Sequence, residues 1–390
     1  MVATRGLVGL RPDPAVVRRV TAPPYDVIKP GSALEKLLSA EPLSLYHVTL
    51  GKDPAGAFAR LREGGALIPD EEPCYYVYEQ RWTLPSGGVE ARTGVFVAAE
   101  VTPYEAKQII RHEKTFDDKV KGRIALAEAT HHTFGPVFAL TRAKLADVLE
   151  RAKEELDPTY AFETDLRGLN DLHAIRSRIY RVPEASELGK AIAAALSPEP
   201  LYIADGHHRY HAALRYGQTH ALVYVTEQAR IQAYDRVVNG VHKFASVRSK
   251  LALKPAPAFE TPMKRQFCLY TREGAFLLDA KEVPHDVVGR LDCSILEREL
   301  YPLLGLKHEM IADPKRFDYY PESQIDQMKA VVDRGDYDLA IALHPVSIDE
   351  LMAVADAGLS DSNIVMPEKS TFFAPKILSG LVVYRHTRRA

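Results

Sequence analysis

Hydrophobic and polar positions along this 390-residue chain switch repeatedly between a period of two and a period near 3.6. Glu72 to Gln80 carries Tyr75, Tyr76, Val77 and Tyr78, and Thr93 to Val101 is apolar. Pro85-Ser86-Gly87-Gly88 lies between them, so the pair predicts a β-hairpin. Thr141 to Leu156 sets Leu145, Val148, Leu149 and Ala152 at helical spacing, and Glu187 to Leu196 repeats the pattern until Ser197-Pro198 ends it. The short run Leu201-Tyr202-Ile203-Ala204 reads as a buried strand, and Tyr210 to Tyr216 reads as the first turns of a helix. Further strands are expected at Ala221 to Val225, Tyr234 to Val238 and Asp338 to Leu343. Further helices are expected at Cys293 to Leu304, with Asp292 as N-cap, and at Gln324 to Val332. Short strands alternating with helices predict a mixed α/β (α+β) fold. Lys254-Pro255-Ala256-Pro257 reads as a connector, which divides the chain into an N-terminal lobe, 1–250, and a C-terminal α/β lobe, 251–390, that packs back on the site.

Between the Leu201 strand and the Tyr210 helix stand Asp205-Gly206-His207-His208-Arg209. A strand turning directly into a helix aims several backbone N–H groups, and the positive end of the helix dipole, at one point, which suits an anion such as phosphate. His207, His208 and Arg209 are placed to close over that anion, and Asp205 to hold a divalent cation such as Mg²⁺ beside it. In the plainer reading Asp205 caps the helix and the histidines satisfy local backbone groups.

Composition narrows the field. The formal charge of −2 gives no general attraction to nucleic acid or anionic membrane, and no apolar run reaches the length of a membrane span. Three widely spaced cysteines form neither a metal-ligand pair nor a disulfide framework, and the N-terminus lacks the apolar core of a signal peptide, so a soluble cytoplasmic protein is expected.

Other polar clusters accompany the turn. Arg111-His112-Glu113-Lys114-Thr115 precedes Asp117, Asp118, Lys121 and Arg123, and is either a solvated helix face or a site in which Glu113 is a general base or metal ligand. His131-His132 and His207-His208 suggest zinc, but adjacent side chains diverge and no HExxH or paired-cysteine motif accompanies them. Lys369, Ser370, Thr371 and Lys376 flank Phe372-Phe373 and are candidates for the same anion site, the phenylalanines reading most simply as a core or interface plug. Arg236, in the Tyr234 strand, joins the candidate nucleotide contacts. Pro23-Pro24 stiffens the backbone that presents Tyr25 and Asp26. No Walker loop and no GxGxxG is present.

Four blocks together resemble the signature of a large bacterial and archaeal family catalogued as a domain of unknown function and often labelled ParB-like. They are Thr21-Ala22-Pro23-Pro24-Tyr25-Asp26-Val27-Ile28, Arg111 to Thr115, Ala204 to Tyr210, and Pro367 to Lys376. Asp205 to Arg209 also resembles the phosphate-gripping loop of the ParB/sulfiredoxin superfamily, which includes free-serine kinases. The resemblance implies a ParB/sulfiredoxin-like nucleotide-binding core with an additional α/β lobe. It further implies Mg²⁺ on Asp205 and contacts from His207, His208 and Arg209 to the phosphates of ATP or ADP. The expected activity is that of a small-molecule phosphotransferase, a nucleotide-dependent kinase of free serine or a similar hydroxy metabolite. Glu113, Asp205 and His208 would act catalytically, and Gly206, His207, Arg209, Arg236, Lys369, Thr371 and Lys376 would hold the cofactor. A metal-dependent phosphohydrolase and a nucleotide-binding regulatory module without turnover are the alternatives, and a homodimer is left open.

Overall fold

A computed structural model of the chain describes residues 2–84, 87–164, 174–241, 248, 250–311, 313 and 315–389. The chain forms two compact units, one of residues 1–229 with 375–390 and one of residues 230–374. These bounds differ from the 1–250 and 251–390 division expected from the proline-rich stretch. The chain leaves the first unit before that stretch, and its last sixteen residues return to it. Mixed α/β architecture holds in both units. Among the described residues no helix is long and apolar enough to cross a membrane.

The first unit is built on a nine-stranded sheet. Its strands run in the order Ile109–Ile110, Leu201–Asp205, Val137–Leu140, His220–Thr226, Val89–Glu100, Cys74–Thr83, Ile175–Pro183 and Tyr160–Thr164, with Thr4–Arg5 beside Val89–Glu100. The expected hairpin is present, pairing Tyr76 with Phe96 and Thr83 with Val89, and its tip residues Pro85 and Ser86 lie outside the described residues. Tyr75 to Tyr78 are all fully buried, because both faces of this sheet are covered. On one face Tyr75, Val77, Val95 and Val97 share a core with Leu149 and Ile192, the apolar stripes of helices Ala146–Glu155 and Glu187–Leu196. Alternate positions supply an aromatic layer in which Phe96, Phe138 and Tyr224 meet, with the buried Arg92 guanidinium 4.9 Å from the centre of the Phe138 ring.

The second unit holds a six-stranded antiparallel sheet in the order Lys254–Ala256, Gly274–Asp279, Gln266–Thr271, Leu339–Leu343, Tyr234–Val238 and Phe317–Pro321. Helix Ile325–Arg334 covers it, packing Met328 and Val332 with Val237, Tyr270 and Ala340. Three local expectations are corrected here. The Lys254-Pro255-Ala256 stretch is an edge strand paired with Gly274–Asp279, a position where a proline forfeits no central ladder bond. The helix expected over Cys293 to Leu304 is two helices, Asp292–Glu299 and Tyr301–Leu304, separated at Leu300 where Pro302 enters the first turn of the second. Asp292 is not the N-cap: Leu291 occupies that place, and the buried Asp292 carboxylate accepts from the Arg265 backbone N–H at 2.9 Å.

Candidate functional site

The candidate site gathers at the C-terminal ends of two parallel strands of the first unit. Ile109 pairs with Leu201 and Ile110 with Tyr202, so the chain leaving one strand delivers His112 and Glu113 beside the turn that leaves the other. Such an edge, outside the carboxyl ends of parallel strands, is where open α/β sheets bind ligands. The ladder with Val137–Leu140 slips between Ile203 and Asp205, an irregularity that re-aims Asp205 at the end of its strand. Gly206 then takes φ +95°, and helix His207–Arg215 starts at once. A Cβ on Gly206 would meet Arg209 Nε at 2.9 Å, so both the backbone angle and the close approach call for glycine.

Asp205 does not cap that helix. Its Oδ1 accepts from Arg209 Nη2 at 3.1 Å, and its Oδ2 accepts from Lys376 Nζ at 2.8 Å. The three side chains are 17%, 11% and 9% exposed. Burial alone would raise the Asp205 carboxyl, but the Lys376 and Arg209 charges hold it well below the usual carboxylate range. Arg209 also donates to the Pro136 carbonyl. Lys376 is held from behind, since buried Gln80 donates to its carbonyl at 3.1 Å and buried Arg92 donates to the Pro375 carbonyl at 2.6 Å. Two cations thus share one carboxylate at the first turn of a helix, and the surplus positive charge suits an anion.

The histidines separate as adjacent side chains do. His207 turns inward, its Nδ1 3.4 Å from Glu113 Oε2 and its Nε2 accepting from the His112 backbone N–H at 3.4 Å. The neighbouring His208 accepts from the Phe116 N–H at 3.1 Å and stacks on the Phe116 ring. His112 is fully buried, its ring edge-on to His207 with centres 4.5 Å apart, and its Nε2 is 3.8 Å from Glu113 Oε1. Burial pushes the His112 imidazole down to about 4, partly opposed by the Ile203 carbonyl and Asp205. Burial, with the neighbouring His112, also carries His207 well below its ordinary value. Both rings are therefore neutral at pH 7. His112, Glu113 and His207 form a group whose ligand atoms all lie within 4.8 Å of one another. His131-His132 is structural instead: His131 ends helix Asp117–Thr130 at φ 57°, and buried His132 packs on Phe58 with ring centres 4.6 Å apart.

Beside Arg209 lies a cavity of about 60 Å³, whose walls include Tyr25, Arg123, Phe134, Arg209, Ala213 and Ser379. Arg123 covers the Tyr25 ring at 3.7 Å, and both residues line this cavity.

Of the residues named from sequence, Glu113, Asp205, Gly206, His207, His208, Arg209 and Lys376 belong to this neighbourhood. Arg236, Lys369 and Thr371 lie in the second unit. There Arg236 is fully buried with its Nε donating to Tyr301 Oη at 3.1 Å, and Lys369 sits over the Tyr234 ring at 5.3 Å. Phe372 and Phe373 are buried in a strand paired with Arg230–Gln232, as a core plug would be. Sequence reading missed Gln80, Arg92 and Arg123 as supports of the site. The signal for Arg92 was an arginine directly before the apolar run that starts at Thr93.

The fold and site together define a two-unit α/β protein with a charged strand–helix turn. Residues 5–294 match the family described as "Protein of unknown function (DUF1015)", and the chain belongs to that family. No curated protein matches it. Among solved structures the chain is similar to a free serine kinase mutant in complex with AMP, with 11% identity, coverage of 74% of this chain and 92% of that one, and a TM-score of 0.39. It is likewise similar to a conserved hypothetical protein from Pyrococcus furiosus, with 14% identity, coverage of 75% and 95%, and a TM-score of 0.38. For SbnI with C-terminal truncation from Staphylococcus aureus the values are 13% identity, 74% and 87% coverage, and a TM-score of 0.38.

Proposed function

We propose that this chain is a nucleotide-dependent phosphotransferase acting on a small hydroxy metabolite, free serine or a compound like it. The observation that carries this reading is the sharing of Asp205 between Lys376 and Arg209 at the start of helix His207–Arg215. In this reading the two cations and the helix N-terminus hold the phosphates of ATP or ADP, and Asp205 keeps the cations in place. The P–O bond to the leaving nucleotide breaks as the acceptor oxygen bonds to phosphorus, and the hydroxyl proton passes to Glu113. Lys376 and Arg209 oppose the negative charge that builds on the transferring group. Mg²⁺ fits poorly on Asp205, because both carboxylate oxygens already face cations. The cavity beside Arg209 is the acceptor's place, where Arg123 and Arg209 together suit the carboxylate of an amino acid.

Thermal melting with ATP, ADP, CTP and GTP, each with and without divalent cation, tests the reading. A concentration-dependent rise with an adenine nucleotide, lost in Lys376→Met, supports it, and mass spectrometry of acceptor mixtures then identifies the phosphorylated product. No shift at millimolar nucleotide sinks the reading. Free phosphate without a phosphorylated acceptor replaces it with a phosphohydrolase.

A further inference from the structure

We propose that His112, Glu113 and His207 bind one divalent transition-metal ion. Three observations converge on this. The ligand atoms of the three side chains all lie within 4.8 Å of one another, with Glu113 3.8 Å from His112 Nε2 and 3.4 Å from His207 Nδ1. Ligands about 2.0–2.2 Å from a tetrahedral ion stand roughly 3.3–3.6 Å apart, so small side-chain rotations close the set. The second observation is His112 itself. It is fully buried, and its Nε2, which faces Glu113, has no hydrogen-bond partner among the described residues. Buried polar nitrogens are ordinarily satisfied, so Nε2 offers an unused ligand atom 3.8 Å from the Glu113 carboxylate. The third is rigidity: the ligands leave the ends of two hydrogen-bonded parallel strands, and the two imidazoles pack edge to face.

Two imidazoles and one carboxylate select Zn²⁺, Mn²⁺, Fe²⁺ or Co²⁺ rather than Mg²⁺ or Ca²⁺, which favour oxygen throughout. Binding through His207 Nδ1 moves that ring's proton to Nε2 and gives up the long contact from the His112 N–H. Glu113 is partly exposed, which leaves an approach for the ion and open positions for water or a ligand oxygen. The inference rests on this geometry and not on the phosphotransferase reading. With an ion bound, Glu113 becomes a ligand, and an acceptor hydroxyl reaching the ion would lose its proton more readily.

The test uses the full chain, stripped with chelator and titrated with Co²⁺ and then Zn²⁺. One equivalent of Co²⁺ should bind, with the visible absorption of a four- or five-coordinate ion, and Zn²⁺ should displace it. His112→Gln and Glu113→Gln should each weaken Co²⁺ binding more than about tenfold, with far-ultraviolet circular dichroism reporting that the variants fold. Should His112→Gln not fold, the partly exposed Glu113 carries the test alone. Lys376→Met, which removes the nucleotide response in the reading above, should bind Co²⁺ like the parent chain, so the two proposals fail separately. Substoichiometric uptake of both metals, or Co²⁺ binding that survives Glu113→Gln, overturns the proposal.

Discussion

Lys376 Nζ lies 2.8 Å from Asp205 Oδ2, across 171 residues of chain. The contact depends on the C-terminal stretch returning to the first unit, where Gln80 and Arg92 hold the Pro375 and Lys376 carbonyls. Removing one partner of a largely buried pair leaves an uncompensated charge. Lys376→Met should therefore destabilise the protein by about 2–3 kcal/mol, the remaining Arg209 contact limiting the cost. Denaturant titrations of Lys376→Met, Asp205→Asn and the double variant check this. The double variant should lose less than the sum of the singles, and simple additivity would show that the pair is not coupled.

Gly206 carries the turn that puts Arg209 on Asp205. At φ +95°, with Arg209 Nε 2.9 Å from the place of a Cβ, alanine meets both backbone strain and a clash. Gly206→Ala should cost about 1–2 kcal/mol from the left-handed backbone alone. It should also displace the guanidinium and weaken phosphate or nucleotide binding. Melting temperature and isothermal titration with pyrophosphate separate the two effects. A variant with lower stability and unchanged anion affinity would detach Arg209 from the anion site.

Local pattern made the strand–turn–helix at Leu201 to Arg215 readable, because a short apolar run, Asp-Gly and helical spacing are neighbours in sequence. The same holds for the hairpin and for helix Glu187–Leu196. The sequence did not show which distant segments meet. His112 and His207 converge only because Ile109–Ile110 pairs parallel to the Leu201 strand, and a two-residue strand has no periodicity to read. Histidines adjacent in sequence do diverge, and nothing in the sequence places the His112 ring against that of His207. Of the lysines in the Pro367 to Lys376 block, Lys376 joins Asp205 while Lys369 belongs to the second unit, a boundary that runs through a single motif.

The buried His112 ring makes stability depend on pH. Its folded value is about 4 against an ordinary 6.5, so the unfolded chain binds a proton that the folded chain refuses. Stability from this group is complete above about pH 6.5 and falls as pH drops toward 4, by on the order of 3 kcal/mol in total. His112→Phe keeps a ring against His207 and removes the titration. Its stability should be flatter between pH 6.5 and 4 than that of the parent. Parallel curves for the two proteins would assign acid sensitivity elsewhere, to His207, which burial carries well below its ordinary value, or to His386, whose imidazole is pushed down to about 4.

Arg123 separates binding from stability. Its guanidinium lies over Tyr25 at 3.7 Å, its Nε has no hydrogen-bond partner among the described residues, and burial with the nearby Arg209 charge pulls it below its ordinary value. A cation in that position is retained at a cost to the folded state unless an anion completes it. Replacing it with methionine keeps most of the stem over Tyr25 and removes both the unsatisfied donor and the repulsion. Arg123→Met should therefore match or exceed the parent in melting temperature. It should raise the KM for a carboxylate-bearing acceptor about tenfold to a hundredfold, with kcat changed only a few-fold, because the lost contact binds substrate and transition state alike. A large fall in kcat at constant KM would move Arg123 from the acceptor's carboxylate to the transferring phosphoryl group. A fall in melting temperature would make the Tyr25 contact its main role.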